Sequence, residues 1–142
     1  QFLVHGHDLP ALAPRVSRLK VPVIFDHMGY VTPDIAGSQP GDALLNLVRD
    51  GAWVKLSGAF RISGEEPPYA DTAAFASRLA EAAPSRCVWG SDWPHVGFRG
   101  QMPNVGDLLD LLATWVPDPA RRNAILSTNP QQLYGLPAVS TT

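Results

Sequence analysis

Apolar residues occur in four short runs along the chain, and each run ends in a cluster of polar residues. The runs are 2–4, 21–25, 52–56 and 86–89, and an amphipathic stretch follows each polar cluster. The pattern recurs roughly every 30 residues, as in consecutive βα units. Short apolar strands that alternate with helices predict an α/β fold, with a parallel sheet covered by helices.

The amphipathic stretches predict helices, and Asp8 is expected to cap the first of them while Pro14 is expected to kink or break it. We expect residues 1–136 to form one domain and the tail 137–142 to be disordered. The predicted helices are 9–19 and stretches near 41–49, 71–83, 105–115 and 119–127.

Two architectures fit this alternation. One is a doubly wound open sheet, and the other is part of an eight-stranded barrel, of which four βα units make half. Periodicity alone does not choose between them. The chain opens directly on an apolar run at Gln1, without an initiator Met, so we expect a piece cut from a larger fold.

Composition narrows the classes of function. Apolar residues make up 45% and charged residues 17%, an ordinary globular balance. The net charge of −2 offers no basic field for nucleic acid. No apolar run approaches the ~20 residues of a membrane span. The single cysteine, Cys87, excludes an intrachain disulfide, and with no signal-peptide pattern we expect a cytoplasmic protein.

The polar clusters lie just past the carboxyl ends of the predicted strands. Parallel strands deliver the loops that follow them to one rim, where catalytic and binding groups collect in both candidate folds. We therefore expect the polar side chains of the four clusters to converge. Their members are His5, His7, Asp26, His27, Ser57, Arg61, Asp92 and His95.

Asp92 is the strongest candidate for catalysis. A carboxylate there can take a proton from an attacking water and return it to a leaving oxygen. Gly90 permits a tight exit from the strand, and Trp93 and Pro94 are expected to shield the carboxylate from bulk water. The structural alternative is an aspartate that forms a turn or caps a helix.

Two histidines accompany Asp92. The neutral imidazole of His27 can polarise a carbonyl or bind a metal, and its structural alternative is to cap strand-end carbonyls. His95 can hydrogen-bond a substrate oxygen or orient Asp92, and its alternative is a solvent-facing loop histidine. His5 and His7 have metal-binding spacing but are better explained as a turn and a helix start.

The cationic residues have different expected roles. Arg61 suits a substrate carboxylate, which a guanidinium grips with two hydrogen bonds, and its alternative is an ordinary surface arginine. Lys55 lies within a strand, so we expect it to pair with a carboxylate or to point into a barrel interior. Asp26 is expected to orient the loop or the sheet.

Three motifs in this order resemble the amidohydrolase-related family of TIM-barrel hydrolases. Within that family the likeness is to 2-pyrone-4,6-dicarboxylate lactonases and sulfomuconolactonases, and it extends from about Gln1 to Gly135. The motifs are Phe25-Asp26-His27-Met28-Gly29, the run from Trp53 to Arg61, and Trp89-Gly90-Ser91-Asp92-Trp93-Pro94-His95, with a closing Asn129-Pro130 and Leu133-Tyr134-Gly135.

The resemblance implies that the chain is the C-terminal half, about strands five to eight, of a (β/α)8 barrel. It implies that Asp92 activates water, that His27 is the strand-six histidine, and that Arg61, His95 and Ser57 bind the substrate. Parts of the superfamily use zinc or manganese, for which Asp92 and His27 are candidate ligands, whereas the pyrone lactonases use no metal. The family's paired histidines after strand one would precede Gln1.

The expected function is hydrolysis of a lactone of a carboxylated small molecule, with Asp92 as general base. One alternative is a decarboxylase or another carbon–carbon hydrolase of the same superfamily. Another is an inactive half-barrel, whose uncovered strand edges require an N-terminal partner or self-association. A doubly wound nucleotide-binding domain is disfavoured because no Gly-rich phosphate loop follows a strand.

Overall fold

A parallel sheet forms the centre of the chain, whose residues 1–137 are described by a computed structural model. Within these residues the sheet has three strands, β1 (Ile24–Phe25), β2 (Trp53–Leu56) and β3 (Cys87–Trp89), with β2 in the middle. Phe2 adds a single parallel bridge to Phe25 at the outer edge of β1. The order across the sheet therefore follows the order along the chain, without a reversal.

Helices and short turns connect the strands. The helices are α1 (Leu9–Val16), α2 (Gln39–Arg49), α3 (Ala59–Ile62), α4 (Ala73–Ala82), α5 (Val105–Trp115), α6 (Pro119–Asn123) and α7 (Asn129–Tyr134). The 3₁₀ turns are Gly6–Asp8, His27–Tyr30, Ala70–Thr72 and Pro84–Arg86, and a π-helical turn spans Ala124–Thr128.

Strand side chains alternate between two faces of the sheet. On one face Phe25, Val54, Leu56 and Cys87 belong to the main hydrophobic core, which also contains residues of α1, α2, α4 and α5. On the other face lies a smaller cluster, which packs against Leu133 of α7. Its members are Ile24, Trp53 and Val88.

Helices α1, α2, α4 and α5 thus cover one face, α7 contacts the other through Leu133, and the strands run in chain order. This arrangement is typical of a barrel wall, whose second face points to the barrel interior. A complete doubly wound sheet carries such helices on both faces.

The predicted elements are found, some of them with shifted ends. The helix expected near 105–115 is α5, whose first turn is capped by the Asn104 side chain accepting from the Gly106 amide at 2.7 Å. The strand expected at 2–4 is reduced to the bridge at Phe2.

The first helix begins at Leu9 as predicted, but its end and its capping differ from the prediction. It stops at Val16 and not at residue 19, and Pro14 lies inside it without breaking it, because the missing proline amide removes a single hydrogen bond. Asp8 makes no capping hydrogen bond with its side chain, since its backbone is already helical and the turn Gly6–Asp8 leads straight into α1.

The last helix continues beyond the predicted end at residue 127. It passes through the π-helical turn into α7, which ends at Gly135 with a left-handed φ of 64°. Of the tail expected to be disordered, residues 138–142 lie outside the described residues. Among residues 1–137, no helix is long and apolar enough to cross a bilayer.

Asn129 joins the start of α7 to the sheet. Its buried side-chain amide donates to the carbonyl oxygens of Pro84, at 2.8 Å, and Cys87, at 2.7 Å. Both oxygens need a donor because they lie where the chain enters β3, so Asn129 stabilises the contact between α7 and that strand.

Asn129→Ala is expected to lower the free energy of unfolding by roughly 1–3 kcal/mol, because it leaves two carbonyl groups without their donor. Urea denaturation followed by circular dichroism measures the change. Gln132→Ala, at an exposed position of the same helix, is the control and should change stability by less than about 0.5 kcal/mol. Equal losses in the two variants would contradict the role of Asn129.

Candidate active site

The polar residues that follow the three strands line one cavity of about 430 Å³. Asp26 and His27 follow β1, Ser57 follows β2, and Asp92 lies in the loop after β3. Parallel strands put these loops on the same edge of the sheet. The predicted convergence of Asp26, His27, Ser57 and Asp92 is therefore observed.

Asp92 contacts a histidine and an arginine at once. Its Oδ1 lies 3.4 Å from Nε2 of His27, and its Oδ2 forms an ion pair with Nε of Arg61. Arg61 also donates from Nη2 to the carbonyl oxygen of Val96 at 3.0 Å. A guanidinium has five N–H donors, so within the described residues these two contacts leave those of Nη1 unused, although Arg61 itself is not among the residues that line the cavity.

His27 is buried between Asp92 and Ser57. Its Nδ1 lies 2.9 Å from the Ser57 hydroxyl oxygen, and its ring meets Tyr30 edge to face. Burial lowers the pKa of His27 below its ordinary value, an effect that the nearby carboxylates of Asp92 and Asp26 oppose. His27 is therefore neutral at neutral pH and can donate only one hydrogen bond from its ring.

The backbone at both key residues lies in the left-handed region. φ is 49° at His27 and 61° at Asp92, values that cost energy for residues with a side chain and that concentrate at functional sites. Gly58 contributes to the same geometry, because a Cβ on it would lie 2.7 Å from Nδ1 of His27. The absence of a side chain at Gly58 thus allows the imidazole to lie against the chain after β2.

A second ion pair lies beside the first. Nζ of Lys55 is 2.6 Å from Oδ1 of Asp26, and the Gln1 side-chain amide donates to Oδ2 of Asp26 at 2.6 Å. Lys55 therefore pairs with a carboxylate, one of the two roles expected for it. Sequence reasoning missed Gln1 and also Tyr134, which lines the cavity from α7. Only the closing motif of the family pointed to Tyr134.

His95 lies apart from the residues that line the cavity. It is 3% exposed and packs edge to face on Phe60, with ring centroids 5.1 Å apart, so the alternative of a solvent-facing histidine is wrong. Its Nε2 is buried without a hydrogen-bond partner in the described part of the chain. A contact of His95 with substrate stays a prediction.

The structure also bears on two other predictions, one about Trp93 and one about His5 and His7. Trp93 lines the cavity but is 74% exposed, so it does not shield Asp92 from water as expected. Asp92 is instead covered by the Arg61 side chain that pairs with it. His5 and His7 are exposed at the turn before α1, as the structural explanation of that motif requires.

The donor set at the cavity does not suit a metal ion by itself. His27 and Asp92 offer two potential ligands, and within residues 1–137 no group of three His, Cys, Asp or Glu side chains is placed to hold one. The guanidinium of Arg61 occupies Oδ2 of Asp92, which opposes a cation at that oxygen.

Comparison with known proteins identifies relatives of this chain. The chain is 43% identical over 134 residues to a 4-sulfomuconolactone hydrolase of Hydrogenophaga intermedia, covering 92% of this chain and 44% of that protein. It is 37% identical over 141 residues to a D-galactarolactone isomerase of Agrobacterium fabrum, covering 96% of this chain and 48% of the isomerase. It is 34% identical over 140 residues to a 2-pyrone-4,6-dicarboxylate hydrolase of Comamonas testosteroni, covering 89% and 45%. The chain thus spans about half the length of the curated relatives it matches.

Solved structures agree with these relatives. A crystal structure from Agrobacterium tumefaciens superposes with a TM-score of 0.82 at 35% identity, covering 94% of this chain and 49% of that one. The structure of a protein described as a 2-pyrone-4,6-dicarboxylic acid hydrolase of Acinetobacter baumannii, with citric acid bound, gives 0.77 at 25% identity, covering 93% and 50%.

These structures are amidohydrolase barrels of which the chain matches about half, so the prediction of a half-barrel is confirmed over the doubly wound sheet. The sequence profile of the amidohydrolase family matches residues 1–136. The chain belongs to the amidohydrolase family.

Proposed function

We propose that the chain carries the acid–base half of a site that hydrolyses a lactone of a carboxylated small molecule. One observation supports this most: the Asp92 carboxylate, which lines the cavity, is contacted by both the neutral imidazole of His27 and the guanidinium of Arg61. Attack of water on an ester that bears a carboxylate uses three groups: a base for the water, a neutral hydrogen-bond donor for the oxyanion and a cation for the carboxylate.

Asp92 acts as the general base. It takes a proton from water as the water oxygen bonds to the lactone carbonyl carbon, and the carbonyl oxygen becomes an oxyanion. His27 donates a hydrogen bond from Nε2 to that oxyanion, which stabilises the tetrahedral intermediate. When the ring carbon–oxygen bond breaks, Asp92 returns its proton to the leaving oxygen, and an open-chain hydroxy acid is formed.

Arg61 holds the substrate beside its base. With Nε on Asp92 and Nη2 on the Val96 carbonyl oxygen, Nη1 is free to bind a substrate carboxylate. The guanidinium then bridges base and substrate. We also propose His95 as a substrate contact, which requires its loop to turn the buried imidazole toward the cavity.

The remainder of the site comes from outside this chain. The lactone hydrolases among its relatives are about twice its length, and the chain contributes one half of the barrel wall. A half-barrel leaves strand edges uncovered, so the chain alone is expected to be inactive and to need the other half-barrel or to self-associate. Because its one cysteine is buried and unpaired, we place it in the reducing cytoplasm.

A second candidate is the isomerisation of a lactone, which the relative named D-galactarolactone isomerase favours. The two reactions differ in their use of water. Hydrolysis in ¹⁸O-labelled water puts one labelled oxygen into the product and adds the mass of water, whereas isomerisation changes neither. Release of carbon dioxide would indicate the decarboxylase considered from the sequence.

Asp92→Asn is expected to lower turnover at least ~100-fold, because an amide cannot take the proton of water. The chain is co-expressed with the part of the Hydrogenophaga hydrolase that it does not match, and opening of 4-sulfomuconolactone is followed. Asp110→Asn, at an exposed position of α5, is the matched control and should keep the activity. A near-wild-type rate in Asp92→Asn, or full activity of the chain alone, would contradict the proposal.

Arg61→Met is expected to raise KM for a carboxylated lactone roughly 10- to 100-fold, since a hydrogen bond between charged groups contributes about 1.5–3 kcal/mol. The same assembly is assayed with a lactone that lacks the carboxylate, whose KM should change little. Arg78→Met, which removes a guanidinium on α4, controls for loss of charge. Equal effects on both lactones would argue against carboxylate binding.

His27 is expected to make stability depend on pH. Because its pKa in the folded chain is lowered from 6.5, the unfolded chain binds more protons as pH falls below that value. The contribution to the free energy of unfolding is complete above pH 6.5 and is lost as pH falls through the folded pKa. Urea denaturation at about pH 7.5 and about pH 5.5 should show a larger loss in the wild type than in His27→Gln. Identical losses would be inconsistent with a buried neutral imidazole.

A further inference from the structure

We infer that Ser57 is a positioning residue, which holds His27 in the tautomer that carries its proton on Nε2. Nδ1 of His27 lies 2.9 Å from the hydroxyl oxygen of Ser57. Both are buried, with 7% of His27 and 3% of Ser57 exposed, so water competes little for this contact.

The neighbour on the other side of the ring fixes the direction of the hydrogen bond. Nε2 faces Oδ1 of Asp92, and an ionised carboxylate can only accept hydrogen bonds. A neutral imidazole has one N–H, and with that hydrogen on Nδ1 the lone pair of Nε2 would face the negative oxygen. The hydrogen therefore belongs on Nε2, which leaves Nδ1 to accept the hydrogen bond that the Ser57 hydroxyl donates.

The chain after β2 also restrains the position of the ring. Gly58 follows Ser57, and its missing Cβ makes room for the imidazole, which would otherwise meet that atom 2.7 Å from Nδ1. The rings of Tyr30 and His27 also pack edge to face, with their centroids 5.5 Å apart. Ser57 thus has a defined partner in place, and its hydroxyl hydrogen is already used.

The consequence for catalysis rests on the proposed function. The proton on Nε2 faces Asp92, which lines the cavity, and once Asp92 has taken the proton of water this N–H can turn to the lactone oxyanion, so Ser57 acts on the substrate through His27. The substrate contact that the sequence predicts for Ser57 stays a prediction beside this indirect role. A Ser–His–Asp contact series also suits a nucleophilic serine, and the test below includes that outcome.

The tautomer is measured directly on the ¹⁵N-labelled chain. Long-range ¹H–¹⁵N correlation at about pH 7.5 should give a protonated-type shift for Nε2 of His27 and an unprotonated-type shift for Nδ1. The His27→Gln spectrum assigns the signals by their loss. A protonated Nδ1 in the wild type would overturn the inference without any variant.

Two substitutions then test Ser57. Ser57→Ala should change the ratio of the two tautomers by up to about tenfold, the effect of one hydrogen bond, and move both nitrogen shifts toward their mean. Ser57→Thr, which keeps a hydroxyl, should restore the wild-type shifts. Ser91→Ala removes another hydroxyl that lines the cavity and should leave them unchanged.

Unchanged shifts in Ser57→Ala would overturn the inference, and so would an acyl adduct on Ser57, seen by mass spectrometry after the active assembly is quenched with substrate. The inference and the proposed function can be disproved independently of each other. The nitrogen shifts report the tautomer whether or not the chain hydrolyses lactones, and the Asp92→Asn assay reports hydrolysis whatever the tautomer.

Discussion

The parallel pairing of β2 with its two neighbours brings the loops that carry Asp26, His27, Ser57 and Asp92 to one cavity. Ile24 lies opposite Trp53, and Val54 lies opposite Cys87. A shift of one residue in either pairing would exchange the two faces of a strand and send its polar residues into the helical core. Continuing the β1–β2 register by one residue puts Asp26 opposite Lys55, where the ion pair is observed.

This register allows charged groups to be partly buried at a small net cost. Arg61 neutralises Asp92 and Lys55 neutralises Asp26, so both carboxylates that line the cavity are compensated. His27 lies beside both pairs and stays neutral because burial disfavours its protonated form. The polarity of the cavity therefore comes from oriented pairs and not from a net charge.

Local signals in the sequence predicted the elements, and topology predicted which residues meet. α5 could be placed because residues 105–115 form an amphipathic stretch, and the meeting of Asp92 with His27 follows from parallel strands. The burial of His95 against Phe60 could not be predicted, because it depends on how the loop after β3 folds back onto α3. The same holds for Gln1 and Asp26, whose contact joins residues 25 positions apart.

The C-terminal segment has two attachments that lie at opposite ends of α7. Asn129 binds its start to the chain that enters β3, and Tyr134, the last residue of the helix, lines the cavity. The wall of the cavity therefore includes the last residue of α7. Proteolytic trimming within α7, or a bulky affinity tag fused directly behind it, would reshape the cavity as well as loosen the sheet.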